Sequence, residues 1–178
     1  MEREDVKVEV DVDKIIVEES YKGPRFEDPE EIDAAWVESL MEWQKDEKKL
    51  HKKYTVMLIN KAQEIWMKDD SLVEVHIDDL EEITVCGDIH GQYYDLLNIF
   101  KINGSPSPEN PYVFNGDFVD RGSFSVEVIT TLLAWKVCYP QHFFMNRGNH
   151  ESGNLTRMYG FEGEVKHKLD IKCYQLFT

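Results

Sequence analysis

Positive charge is scarce in this sequence. Its 178 residues carry 20 Lys and Arg against 35 Asp and Glu, a formal net charge of −15 with a pI near 4.7. That balance argues against nucleic acid as the main partner, because binding along a phosphate backbone needs clustered cations, and against anionic membrane surfaces for the same reason. Cysteine is scarce as well. Cys86, Cys138 and Cys173 are odd in number, far apart and set in apolar surroundings, so they read as reduced core thiols and exclude a disulfide framework or a cysteine-rich zinc module. No apolar run approaches about eighteen residues, and the acidic start Met1-Glu2-Arg3-Glu4-Asp5 is the opposite of a secretory or mitochondrial leader. These absences point to a soluble cytoplasmic protein, with the nucleus as a second compartment and neither nucleic acid nor membrane among its partners.

What is present is enough for a packed core: 42% of the residues are hydrophobic and 12% aromatic, in a length that fits one domain. The negative charge is uneven. Residues 1–33 hold 13 Asp or Glu against 5 Lys or Arg, a net −8, while Val6, Val8, Val10 and Val12 alternate with charged residues. The alternation fits a two-faced strand, but the charge density favours an acidic linker over residues 1–30. Tyr21-Lys22-Gly23-Pro24 reads as a turn, and Asp28-Pro29-Glu30-Glu31 has the cap, early proline and first-turn acids of a helix start. From there Trp36, Val37, Leu40, Trp43, Leu50, Tyr54, Met57, Leu58 and Trp66 recur at helical spacing, which predicts one or two amphipathic helices within residues 31–67.

The rhythm then changes over residues 83–178. Three short apolar runs, Ile83-Thr84-Val85-Cys86, Tyr112-Val113-Phe114 and His142-Phe143-Phe144-Met145, each lead into a polar motif set among glycines. Helical patterns follow the first two, around Leu96 to Phe100 and from Val126 to Tyr139, and residues 103–108 read as a loop. The order strand, motif, helix predicts an α/β layered fold with its ligands at the carboxyl ends of the strands.

Each motif carries groups suited to metal and phosphate chemistry. In Gly87-Asp88-Ile89-His90-Gly91, an extended backbone would point Asp88 and His90 to one side, where they can share a cation; alone, the spacing also fits a turn with a surface histidine. In Gly116-Asp117-Phe118-Val119-Asp120-Arg121-Gly122, the Asp117 carboxylate has two oxygens and can bridge two metals. Asp120, further along the turn, suits the orienting of a histidine, and Arg121 offers a planar donor fork for two phosphate oxygens. Taken singly, Asp120 and Arg121 also fit a surface pair. In Arg147-Gly148-Asn149-His150-Glu151, Asn149 is a neutral oxygen ligand whose amide can donate to phosphate. His150 would be the general acid that protonates the leaving alkoxide, while Arg147 and Glu151 would position the loop. The other histidines, His51, His76, His142 and His167, read as surface or packing residues.

Together the three motifs resemble, residue for residue, the pattern Asp-x-His, Gly-Asp-x-x-Asp-Arg, Gly-Asn-His-Glu of the metal-dependent serine/threonine protein phosphatases. The phrases Gly91-Gln92-Tyr93-Tyr94-Asp95-Leu96-Leu97, Ser123-Phe124-Ser125-Val126-Glu127-Val128-Ile129 and Met158-Tyr159-Gly160-Phe161-Glu162-Gly163-Glu164 are similar to the type 5 branch of that family, and the likeness runs from about Glu18 to Thr178. The resemblance implies the N-terminal half of a calcineurin-like metallophosphoesterase, a layered β-sandwich with flanking helices. It implies that Asp88, His90 and Asp117 hold one metal and that Asp117 and Asn149 begin the site of a second. The two ions would be divalent or trivalent, with Mn, Fe or Zn suited to such ligands. It further implies that His150 and Asp120 form an acid dyad, that Arg121 and Asn149 contact the substrate phosphate, and that the reaction is hydrolysis of phosphoserine and phosphothreonine in proteins by metal-activated water.

That family's remaining metal histidines, a further phosphate arginine and the second half of its core have no counterpart before Thr178. Residues 31–178 are therefore expected to be an incomplete catalytic domain, poorly active or inactive alone, with apolar faces left uncovered. Two alternatives stand beside this one: an inactive chain that acts by binding partners, and a metallophosphoesterase with a non-protein substrate. Nothing in residues 1–30 resembles the helical repeats through which type 5 enzymes bind chaperones, so chaperone partners are expected only if a repeat domain exists elsewhere.

Overall fold

The computed structural model describes residues 10–75 and 82–177. Residues 10–33 run largely extended, with single 3-10 turns at Val12–Lys14 and Pro29–Glu31 that are capped by Asp11 and Asp28. Val10, Val12, Ile15 and Val17 pack half-buried against the core, whereas Val6 and Val8 lie outside the described residues. The helix expected at Asp28-Pro29 stops after that one turn, because Ile32 is extended. The first α-helix, α1 (Ala34–Lys45), starts at a second cap, Asp33, whose side chain accepts the Trp36 N–H at 2.8 Å. Next comes α2 (Lys52–Trp66), capped by His51, whose Nδ1 accepts the Lys53 N–H.

Three strands follow: β1 (Thr84–Cys86), β2 (Tyr112–Phe114) and β3 (Phe143–Met145). They form one parallel sheet in the order β1-β2-β3, with Thr84 beside Tyr112 and Tyr112 beside Phe143. Parallel neighbours need crossovers, supplied here by α3 (Tyr93–Asn103) and α4 (Ser125–Cys138). The predicted strands and the second crossover helix are thus present to within a residue, while α3 extends three residues beyond the expected pattern at each end. Every residue of α4 from Ser125 to Val137 is buried, as suits a largely apolar helix whose polar side chains Glu127, Thr130, Thr131 and Lys136 find partners inside the protein. It packs on α1, α2, α3 and β3, and Trp135 meets Phe100, which in turn packs edge-on against Tyr112 and Phe114 of the sheet. The short helices α5 (Gly153–Tyr159), α6 (Phe161–Lys168) and α7 (Ile171–Phe177) close the far side against α4 and α2.

Among the described residues the molecule is mixed α/β, with three parallel strands and seven α-helices, and no helix is long and apolar enough to cross a membrane. Only one face of the sheet is fully covered. Cys86, Tyr112, Phe114 and Phe143 are buried beneath the helices, while Val85 on the opposite face is 69% exposed beside half-buried Val113 and Phe144. The three cysteines are free thiols. Burial pushes Cys86 and Cys138 up to about 11 and Cys173 up to about 12, so none is a thiolate at neutral pH.

One polar cluster sits inside this core. Gln44 of α1 donates through Nε2 to Thr130 Oγ1 at 2.8 Å, and its Oε1 accepts from Thr131 Oγ1 at 2.8 Å and from Tyr93 Oη at 3.3 Å. These bonds fix α1 to α4 and to the first turn of α3. Gln44→Leu would leave the buried Thr131 hydroxyl only its long 3.5 Å contact to Tyr93 Oη and should lower the unfolding free energy by about 1–3 kcal/mol. Urea denaturation checks this, and an unchanged midpoint would mean that α1 docks through apolar contacts alone.

Candidate metal centre

All three motifs leave the carboxyl ends of adjacent parallel strands, which brings them side by side. The ladder runs one residue past the strands, with Asn115 N–H on Cys86 C=O and Asn146 N–H on Phe114 C=O, both at 2.9 Å. The backbone then turns sharply. His90, Asp117, Asp120 and Arg121 take φ of +46°, +53°, +71° and +69°, a region that costs a non-glycine residue about 1–3 kcal/mol and is found mainly where function needs it. Gly116 and Gly148 allow the second and third loops to touch. A Cβ on Gly116 would lie 2.3 Å from Gly148 N, and one on Gly148 would lie 2.2 Å from Asp117 Oδ1.

Hydrogen bonds hold the loops in this arrangement. The Asp117 C=O accepts both the Ile89 and His90 N–H at 3.0 Å, and the Gly91 N–H donates to Phe118 C=O at 2.9 Å. Glu151 joins the second loop to the third: its carboxylate accepts the N–H groups of Asp117 (2.7 Å), Phe118 (2.8 Å) and Gly148 (2.9 Å). The His150 N–H donates to Asp117 Oδ1 at 2.8 Å. Arg147, read beside Glu151 as a loop-positioning group, is exposed and makes no side-chain hydrogen bond to the described residues.

Ligand atoms of Asp88, His90 and Asp117 all lie within 4.8 Å of one another. Asp88 and His90 do meet, but not through the alternation of an extended strand: the left-handed turn at His90 swings its ring back. His90 Nδ1 lies 2.8 Å from Val119 C=O and can only donate there, so Nε2 is left to face Asp88 Oδ2 at 3.7 Å. Electron-pair donors that converge in this way could hold a cation between them, and a carboxylate and imidazole set fits a first-row transition ion. Asn149 is exposed and stands one residue from the bond between His150 and Asp117.

The predicted dyad is also assembled. Buried His150 directs Nδ1 to Oδ2 of buried Asp120 at 2.8 Å, and Asp120 Oδ1 accepts the Phe161 N–H at 2.9 Å. Arg121 Nη2 lies 3.3 Å from His150 Nε2. The rings of His90 and His150 meet edge to face at 4.7 Å, so the Asp120–His150 pair lies against the Asp88, His90 and Asp117 group. His51, His142 and His167 stand apart from it, and His76 lies outside the described residues. Sequence reasoning assigned no role to Val119, whose carbonyl fixes the His90 tautomer, or to Tyr159, whose ring lies 5.1 Å from that of His150. Val119 acts through its backbone and leaves no residue signal. Tyr159 belongs to a phrase that marked the branch without showing a function.

The model of the calcineurin-like phosphoesterases matches residues 82–177, more than half of the chain and all three motifs. The chain belongs to the calcineurin-like phosphoesterase family. A second model, described as the PPP5 TPR repeat region, matches residues 1–74. That match corrects the expectation that residues 1–30 have no likeness to the repeat-bearing part of type 5 enzymes. Human serine/threonine-protein phosphatase 5 is 52% identical over 169 residues, which is 95% of this chain and 34% of that protein. The Arabidopsis thaliana serine/threonine-protein phosphatase 5 is 52% identical over 162 residues, 91% of this chain and 30% of that one. A solved structure of a protein serine/threonine phosphatase from Saccharomyces cerevisiae, described as similar to human phosphatase PP5, superposes with a TM-score of 0.72 at 44% identity, covering 74% of this chain and 42% of the other. The type 5 likeness read from the motif phrases therefore stands, and the chain spans about a third of the length of the curated relatives it matches.

If Glu151 holds the loops in this arrangement, Glu151→Ala should cost at least about 3 kcal/mol, because three N–H groups lose a charged acceptor. Arg147→Ala should stay within about 0.5 kcal/mol of the parent, as an exposed substitution does. Parallel guanidinium titrations compare the two, and equal losses would refute the role given to Glu151.

Proposed function

We propose that this chain carries the first part of the two-metal centre of a type 5-like protein serine/threonine phosphatase, acting on phosphoserine and phosphothreonine in proteins. The observation that carries this reading is the contact between two assemblies: the converging Asp88, His90 and Asp117, and the buried Asp120–His150 pair whose ring packs on His90. Asp88, His90 and Asp117 would hold one metal, and Asp117 with Asn149 would begin the second, with Mn, Fe or Zn suited to the set. When bound, such ions supply charge for the phosphoryl oxygens and a water acidified to act as nucleophile.

The residues of the chain do the rest. Arg121 presents its fork to two phosphate oxygens, and the Asn149 amide donates to another. Asp120 keeps a proton on His150 Nδ1, so the proton that the departing serine or threonine alkoxide takes is the one at Nε2. The three-stranded sheet would be part of one layer of the family's β-sandwich, with the Val85 face waiting for a second layer. Residues 1–30 would serve as an acidic linker and residues 31–178 as an incomplete catalytic domain. The match of residues 1–74 to a TPR-region model supports chaperone partners for an architecture that includes repeats, and cytoplasm, with the nucleus as a second compartment, is part of the same proposal.

With two protein ligands for the second metal, the 178-residue chain should turn over a phosphopeptide near the background rate. It should still bind Mn, and Asp88→Asn or Asp117→Asn should each weaken that binding at least about tenfold. Metal analysis after dialysis, run beside phosphopeptide hydrolysis, checks both points. Two retained metals with robust turnover lost in Asp88→Asn would mean that the chain needs no further ligands. No metal uptake by the parent chain would refute the centre.

A further inference from the structure

Asp120 and Arg121 both sit at positive φ without the freedom of glycine, so residues 120–125 need support from outside to keep their shape. One stretch of chain, residues 159–168, supplies much of it. At one end the Tyr159 C=O accepts the Arg121 N–H at 3.2 Å and the Phe161 N–H donates to Asp120 at 2.9 Å. At the other end, Lys168 Nζ donates to Ser123 C=O (2.9 Å), Glu127 Oε2 (2.5 Å) and Glu164 Oε1 (2.9 Å), which uses all three of its protons. Glu164 in turn accepts the N–H groups of Ser125 at 3.1 Å and Val126 at 2.8 Å. These are the first free amides of α4, which has no side-chain cap of its own. Lys168 also stands 5.1 Å from the Phe124 ring centre.

This ionic cluster is nearly dry. The Lys168, Glu127 and Glu164 side chains are 13%, 3% and 12% exposed, and burial pushes the Glu127 carboxyl up against the pull of Lys168. A buried ion cluster seldom stabilises a fold more than apolar packing of the same volume would. What this one does is fix positions. We propose that Lys168 and Glu164 are positioning residues, through which α6 clamps the loop that presents Asp120 to His150 and Arg121 to a phosphate. What the loop does rests on the phosphatase reading, but how it is held does not.

The test is amide hydrogen exchange, with the downfield Nδ1–H signal of His150, on the whole 178-residue chain without metal. In Lys168→Met the Arg121 and Phe161 amides should exchange about tenfold faster or more, the His150 signal should broaden, and Leu58 in α2 should change less than about twofold. Lys168→Arg, which keeps charge and donors, should return the loop amides to within about threefold of the parent. Lys52→Met, which breaks the ion pair between α2 and Asp170 at the start of α7, should leave the loop and the His150 signal unchanged. Loop exchange within about twofold of the parent in Lys168→Met, or a rise matched at Leu58, would overturn the proposal by making the cluster a general stability element. Should Lys168→Met fail to fold, Glu164→Gln replaces it, with the same amides deciding between the same two outcomes. Titration of the parent with inorganic phosphate is read separately: no shift at Arg121 would count against the phosphatase reading and leave the exchange result standing.

Discussion

The carboxylate of Glu151 accepts three backbone N–H groups from two different loops, and the placement of the ligands follows from that arrangement. Asp117 is held at its own N–H by Glu151, at its carbonyl by Ile89 and His90, and at its side chain by the His150 N–H. One residue thus registers all three strand-end loops. Each charge-assisted bond contributes about 1.5–3 kcal/mol and each left-handed residue costs about 1–3 kcal/mol, so the clasp and the strain that it offsets are of one size. Loops this strained keep one shape only while both terms persist.

The clasp would be of little use on a mobile base. Strands of three residues are too short to define a sheet unaided, and these are aligned by α4, which is buried along nearly its whole length between the sheet's helical side and the N-terminal helices. The Gln44 cluster makes α1 part of that support, since the same amide reaches α4 and the first turn of α3, directly behind the first motif. Residues 34–66 therefore bear on the site without entering it. A change in how they dock would reach Tyr93, two residues from Gly91, through one connected set of hydrogen bonds.

Much of this was legible in the sequence, and the misses share a cause. The strands and crossover helices showed as apolar runs, and the residues that the three loops bring together showed because their side-chain types and spacing mark the motifs. The start of α1 was misplaced because Asp28-Pro29 is a sound cap for one turn, while the break at Ile32 depends on packing that no local pattern records. Asp88 and His90 came together for a reason other than alternation, since a left-handed residue leaves no mark in spacing. Val119 and Phe161 contribute backbone atoms, and Glu164 and Lys168 act on partners about forty residues away in the chain, so none carried a local signal. The likeness of residues 1–30 to a repeat-region model was hidden by composition, which reports charge and not descent.

The contact between Arg121 and His150 bears on how such a site would be switched into its working form. A guanidinium can only donate, so at 3.3 Å from Nε2 it requires His150 to accept there, while Nδ1 donates to Asp120. In this arrangement the ring proton sits on Nδ1 and Nε2 serves as an acceptor. A phosphate dianion is a stronger acceptor than an imidazole nitrogen and matches both arms of the fork. On the proposed phosphatase reading, drawing Arg121 onto a substrate phosphate would vacate Nε2 and leave it free to carry the proton that the departing alkoxide takes. On that reading one side chain would serve both the phosphate and the histidine. The rigidity of the loop that carries Arg121 would matter for such an exchange, because a fixed backbone keeps the guanidinium within reach of both acceptors.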